Sequence, residues 1–159
     1  MIKVVFVCHG NICRSPMAEF IFKNMLEENG LSKKVEVCSR ATSNEEIYNG
    51  VGNPVYPPAR AELEKHNILC GNKRAIRLTK QDYNYYDFII CMDNANVRNS
   101  LKIFENNDED KKVFKLLSFV GIDGEVADPW YFGRFDLTYS DISRGLEGFL
   151  NFLKTKELI

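Results

Sequence analysis

The chain has 159 residues, 45% of them apolar, and a formal net charge of -1, which suits one domain spanning 1–159 and excludes a global field that would draw in nucleic acid or an anionic membrane. Five cysteines, an odd number, argue against a secreted disulfide scaffold and make the cytoplasm the expected location, and with only two histidines no structural metal is expected. The opening "MIKVVFVC" is too short for a signal peptide, and no segment reaches the ~20 apolar residues of a membrane span.

Ile2 to Val7 reads as a buried strand, apolar on both faces except at Lys3. Ser15 is the expected helix N-cap and Pro16 the first helical residue. Met17, Ile21 and Met25, flanked by Ala18, Phe22 and Leu26, form the apolar stripe of a helix ending near Gly30. Val35 to Cys38 is a second strand. Arg40 to Pro58 reads as a long polar loop, a length that marks function. Pro57-Pro58 opens a helix ending near His66-Asn67, and Thr79 is expected to cap a short turn through Tyr83. "DFIICM", Asp87 to Met92, is a third strand. Asp93 then caps a helix with Val97, Leu101 and Phe104 on one face. "ENNDEDKK" reads as solvated surface, Val113 to Leu116 as the fourth strand, and Phe119 to Phe135 as a second long loop. Ile142, Leu146, Phe149, Leu150 and Leu153 mark the last helix. This alternation predicts an α/β fold, a central four-stranded parallel sheet flanked by helices on both faces. Ligands then bind beyond the carboxyl ends of the strands, where Cys8 lies.

The stretch "VCHGNICRSP", Val7 to Pro16, joins that strand to that helix. Backbone N–H groups in such a loop converge on one side and, with the helix dipole, favour an anion. Gly10 allows a close turn, Asn11 tolerates a left-handed backbone, and Arg14 offers a fork for two phosphate oxygens. The same donors stabilise a thiolate at Cys8, and the Ser15 hydroxyl is in reach of that sulfur. Taken singly, Cys8 would be a buried filler, Arg14 a surface charge and the Asp128-Pro129 pair a turn. Together they describe covalent phosphate chemistry.

The string resembles the active-site loop of the low-molecular-weight protein tyrosine phosphatases, marked by Cys, five intervening residues, Arg and Ser. Asp128-Pro129-Trp130 matches the family's Asp-Pro-aromatic motif, and "VCSRAT", "NPVYPPA" and "YYDFIICMDNAN" extend the likeness over essentially the whole chain. The resemblance implies a flavodoxin-like fold of the phosphotyrosine protein phosphatase I type, acting without a cofactor on phosphotyrosine proteins or peptides as a monomer or weak dimer. By the same resemblance Cys8 is the nucleophile, Arg14 the phosphate binder and Asp128 the general acid and base. His9, Gly10, Asn11, Ile12, Cys13 and Ser15 line the phosphate site. Trp130 and Tyr131 wall the ring, with Tyr48 on the opposite rim. Asn11, Ser15, Ser39 and His66 hold the loop in shape. Cys13 forms a reversible disulfide with Cys8; its alternative is a buried filler. Asp87 and Asp93 keep turn and cap roles.

Three other readings stand beside this one. Protein arginine phosphatases carry Thr where this chain has Ile12, whose apolar side chain favours an aromatic substrate. Thioredoxin-linked arsenate reductases need a close later cysteine pair, whereas Cys70 and Cys91 are far apart. A phosphate-binding module would need neither Cys8 nor Asp128. Arg40, where many relatives carry Ala, brings a cation beside Ser39.

Overall fold

The computed structural model describes all 159 residues. Strand β1 (Ile2–Cys8) is the central element, and Val4 to Cys8 are all buried because the sheet is covered on both faces. Its alternate side chains part as the pleat requires: Val4 and Phe6 enter one core, Val5 and Val7 the other. Helix α1 (Arg14–Glu28) follows, then β2 (Val35–Ala41), the hairpin β3 (Ile47–Tyr48) and β4 (Val51–Gly52), α2 (Pro57–Lys65) and α3 (Asp82–Tyr85). Strand β5 (Phe88–Cys91), α4 (Asn94–Phe104), β6 (Val113–Lys115), a 3-10 turn over Leu116–Val120, α5 (Pro129–Phe132) and α6 (Phe135–Thr155) complete the chain.

The main sheet is four-stranded and parallel, as the sequence predicts, and its order is β2-β1-β5-β6. The chain steps outward from β1 in one direction to β2 and in the other through β5 to β6. The carboxyl end of β1 is therefore the switch point where such sheets bind ligands. The larger core joins β1 to α1, α2 and α6 through Phe6, Phe22 and Phe149, with ring centroids 5.9 and 5.3 Å apart in successive pairs. The smaller core lies under α3 and α4, around Tyr83, Leu78 and Phe104. Helix α6 lies close on the 3-10 turn: a Cβ on Gly148 would come within 2.6 Å of the Phe119 carbonyl oxygen.

Several local expectations are corrected. Helix α1 begins at Arg14, with Cys13 in the cap position and no side-chain cap; Ser15 is not its N-cap, because its hydroxyl is taken by Cys8 and Asn11. Pro16 therefore stands third in the first turn, where its missing N–H is still harmless. Strand β2 runs on to Ala41, with Ser39 opposite Phe6 and Ala41 opposite Cys8; Ser39 faces inward as a hydrogen-bonded polar group, which hid the strand's continuation. The first long loop contains the β3–β4 hairpin. Its turn is Asn49-Gly50, both at positive φ (50° and 76°), the backbone a two-residue hairpin demands. Thr79 does not cap: its own N–H donates to Asp82, the first residue of α3. Within "ENNDEDKK", Asp108 accepts from the Tyr83 hydroxyl and from the Lys112 and Val113 N–H groups, so the turn is organised around one carboxylate.

Candidate active site

The loop after β1 is held by a buried chain of hydrogen bonds. Asn11 is left-handed (φ 59°), as expected, while Gly10 has no positive φ. The Asn11 side-chain amide donates to Ser15 Oγ (2.8 Å) and Ser39 Oγ (2.9 Å), and its oxygen accepts from the Ile76 N–H (3.0 Å). Ser39 in turn donates to Glu19 Oε1 at 2.6 Å. Glu19 is only 4% exposed and is neutralised by Lys23 at 2.7 Å and Lys73 at 3.7 Å. Lys73 also donates to the Ser39 carbonyl; burial lowers its pKa, against the pull of Glu19. Every member is paired, the condition under which a buried polar network rigidifies.

At the end of this chain lies the Cys8 thiol, 3.0 Å from Ser15 Oγ and 3.4 Å from the Ser15 N–H, which donates to it. Arg14 is buried and donates from one nitrogen to Asp93 (2.8 Å) and the Val126 carbonyl (2.8 Å). Its other terminal nitrogen lies 3.6 Å from Asp128. Burial works against the Arg14 charge, but Cys8, Asp93 and Asp128 more than offset it and hold its pKa above the ordinary value. The Cys13 pKa is raised as well, by burial first and then by Cys8 and Asp128, which keeps it a thiol. Asp128 caps α5 by accepting from the Trp130 N–H at 3.0 Å.

These groups share one cavity of about 150 Å³, lined by Cys8, His9, Gly10, Ile12, Cys13, Arg14, Glu45, Glu46, Asp128, Trp130 and Tyr131. A void of that size holds a single benzene ring in engineered proteins. Trp130 packs on Tyr56 (centroids 4.6 Å apart), whereas Tyr131 is 85% exposed. Ile12 faces the cavity while packing with Cys13 and Ala75.

The sequence expectations fare unevenly. Asn11, Ser15 and Ser39 meet as expected, but His66 does not join them. It pairs with Glu62 at 3.1 Å and stacks on Tyr139 at 3.7 Å, and Lys73 occupies the position beneath Ser39. Tyr48 is exposed on the hairpin and lines no part of the cavity; Glu45 and Glu46 form that rim instead. Arg40 turns back to its neighbour's carbonyl, the Tyr86 hydroxyl and Asp82, away from the cavity. Asp93 does cap α4, accepting from the Asn96 N–H, but its other oxygen also fixes Arg14. Asp87 does not keep the turn role: its carboxylate accepts from the Lys3 N–H and its own N–H donates to the Lys3 carbonyl, so it extends the pairing of β1 with the strand it precedes. Glu19, Lys73, Glu45 and Glu46 escaped the sequence reading: Glu19 with Lys23 looks like a surface helix pair, and the others like loop charges.

The model of the low molecular weight phosphotyrosine protein phosphatase family matches residues 3–158. The crystal structure of YfkJ from Bacillus subtilis superposes with a TM-score of 0.91 at 32% identity, covering 98% of this chain and 96% of that one. A low molecular weight phosphotyrosine protein phosphatase of Gallus gallus is 36% identical over 153 residues, 93% of each chain. The arginine phosphatase YwlE, in a mutant with a phosphorylated active-site serine, superposes at a TM-score of 0.84 and 27% identity, covering 99% of this chain and 100% of that one. With a matched model over nearly its whole length and these relatives around it, the chain belongs to the low molecular weight phosphotyrosine protein phosphatase family, a family of hydrolases.

Proposed function

We propose that this chain hydrolyses phosphotyrosine in proteins or peptides through a phosphocysteine intermediate. The observation that carries the reading is the convergence of the Cys8 thiol, the Arg14 guanidinium and the Asp128 carboxyl on one ring-sized cavity. Cys8 sulfur attacks phosphorus as the bond to the phenolic oxygen breaks, and Asp128 gives its proton to that oxygen. Arg14, fixed by Asp93 and Val126, and the loop N–H groups hold the charge that spreads over the phosphoryl oxygens. In the second step Asp128 takes a proton from water, the water oxygen attacks phosphorus, and the sulfur leaves as a thiolate that Ser15 stabilises with its N–H and hydroxyl. The phosphorylated active-site serine of the YwlE mutant supports a covalent route.

The likeness to an arginine phosphatase makes phosphoarginine the competing substrate. Ile12 favours the aromatic one, because it offers the cavity an apolar surface and no hydroxyl to position a polar guanidinium. Phosphate release from matched phosphotyrosine, phosphoarginine and phosphoserine peptides tests this, with Cys8→Ser as control. Preference for phosphotyrosine, lost in Cys8→Ser together with all turnover but not phosphate binding, is expected. Preference for phosphoarginine would keep the chemistry and overturn the substrate.

Cys13, a protonated thiol lining the same cavity as Cys8, is proposed as the partner that traps oxidised Cys8 as a disulfide. Brief peroxide treatment should cause a loss of activity that thiols reverse in the wild type. Equal recovery in Cys13→Ser would end that role.

A further inference from the structure

The mouth of the cavity has two unlike sides. One is aromatic, made by Trp130 and Tyr131. The other is acidic, made by Glu45 and Glu46. The acidic side is not a loose loop. The Ser43 N–H donates to the His9 carbonyl at 3.0 Å and the Tyr56 N–H to the Ile12 carbonyl at 2.9 Å, so both ends of the segment are tied to the Cys8 loop. Between them, Asn53 binds Glu46 twice, its N–H to the Glu46 carbonyl (2.8 Å) and its side-chain amide to Glu46 Oε2 (2.7 Å). The Glu46 side chain also lies against Gly10, where an added Cβ would meet its Cγ at 3.2 Å. Glu45 is anchored by His9 at 2.9 Å, with both side chains about half exposed or more. The two carboxylates thus have fixed places at the rim, each with its second oxygen outside these contacts.

The cations near the mouth do not balance them. Arg14 is the cavity's buried cation and is already faced by Asp93 and Asp128. His9 is the only other basic residue of the lining, and it is engaged with Glu45. A phosphopeptide with acidic neighbours would bring like charge against this rim; one with Lys or Arg beside the phosphorylated residue would complete it.

We propose that Glu45 and Glu46 select phosphotyrosine peptides carrying Lys or Arg next to the phosphotyrosine; this rests on the phosphotyrosine phosphatase reading above. The two carboxylates act on the flank of the substrate and take no part in the phosphoryl transfer.

The test compares kcat/KM for two phosphotyrosine peptides that differ only in having Lys or Glu on both sides of the phosphotyrosine, with phenyl phosphate as a substrate without flanks. The Lys peptide should be favoured roughly tenfold, the scale of two exposed ion pairs gained against two repulsions avoided. That ratio should fall to within about twofold in Glu45→Gln/Glu46→Gln, and also for the wild type near 1 M salt, where the screening length shrinks to about 3 Å. Taking the ratio within each variant cancels any change common to both peptides. Glu46→Gln keeps an oxygen for Asn53, so the hairpin anchor survives; should the double variant still misfold, the salt titration of the wild type decides alone. Equal turnover of the two peptides, or a Lys preference that neither salt nor the double variant reduces, would overturn the proposal while leaving the phosphatase reading intact. No turnover of either peptide or of phenyl phosphate would bring down both.

Discussion

The two loops that meet over Arg14 are built in opposite ways. The loop from Cys8 to Ser15 is buried almost throughout and tied by side-chain bonds to β2, to α1 and to the segment before α3. The Asp128 segment is a four-residue helix with Pro129 as its only buried residue, Trp130, Tyr131 and Phe132 exposed, and the Asp128 side chain 30% exposed. A group that stabilises transferring charge must be oriented before the substrate arrives, because reorientation during the reaction would cost what catalysis gains. A group that exchanges a proton needs only to come within reach, and it must let the substrate in. Under the proposed mechanism, fixed donors and a lightly held acid are the division that these two demands produce.

Substitution of Asp128 gives the largest expected break in this comparison. Asp128→Ala should slow phosphotyrosine hydrolysis by ~10²–10⁴, and the loss should shrink for leaving groups that need no proton. Global stability should fall by no more than about 1 kcal/mol, the cost of a lost cap. Stopped assays on a leaving-group series together with denaturant melts check both; equal slowing across the series would contradict the acid role.

A change beneath the other loop should act on both quantities at once. Glu19→Gln leaves Lys73, with a 9% exposed side chain, without its buried counter-charge. A stability loss of about 3 kcal/mol is expected, together with lower kcat as the Asn11–Ser15 bonds loosen. Urea denaturation alongside steady-state kinetics reads this; a variant with lowered stability and unchanged kcat would show that the network holds the fold but not the reacting geometry.

The smallest effect belongs to the exposed side. Asp136, at the start of α6, has its carboxyl held at about 2 by its hydrogen bond to Arg134, below the ordinary 3.8. A depressed carboxyl stabilises the folded chain above its unfolded value, and that contribution disappears as the pH falls from about 4 to 2. Both residues face solvent, so the Tm difference between wild type and Asp136→Asn should be slight at pH 6 and vanish near pH 2. A difference that grew toward low pH would reverse the assignment.

How much of this was written in the sequence depended on whether the signal was local. Strands β1 and β5 were legible because the sheet is buried on both faces, which forces continuous apolar runs such as "VVFVC" and "FIIC". The end of β2 was not, because its inward Ser39 is polar and only the folded chain supplies Asn11 and Glu19 as its partners. The β3–β4 hairpin had a signal, the Asn49-Gly50 pair between Tyr48 and Val51, that went unused. In the site, Cys8, Arg14 and Ser15 share one loop and Asp128 sits in a recognisable tripeptide, so their association reads directly. Lys73 beneath Ser39, and Asp93 against Arg14, are contacts between segments distant along the chain. Nothing in "CGNKRA" or "CMDNAN" announces them, and His66, placed in the network only by the family resemblance, turns instead to Glu62 and Tyr139.

Helix α6 covers the face of the sheet that β1 and α1 begin, with Phe149 packed on Phe22. Burial of Phe6, Met17 and Phe22 therefore depends on residues far along the chain, a contact of high sequence separation that costs loop-closure entropy before it is rewarded. Without α6 the face of the sheet shared by β1 and α1 would stand open, so docking of this helix is the step that closes the larger core.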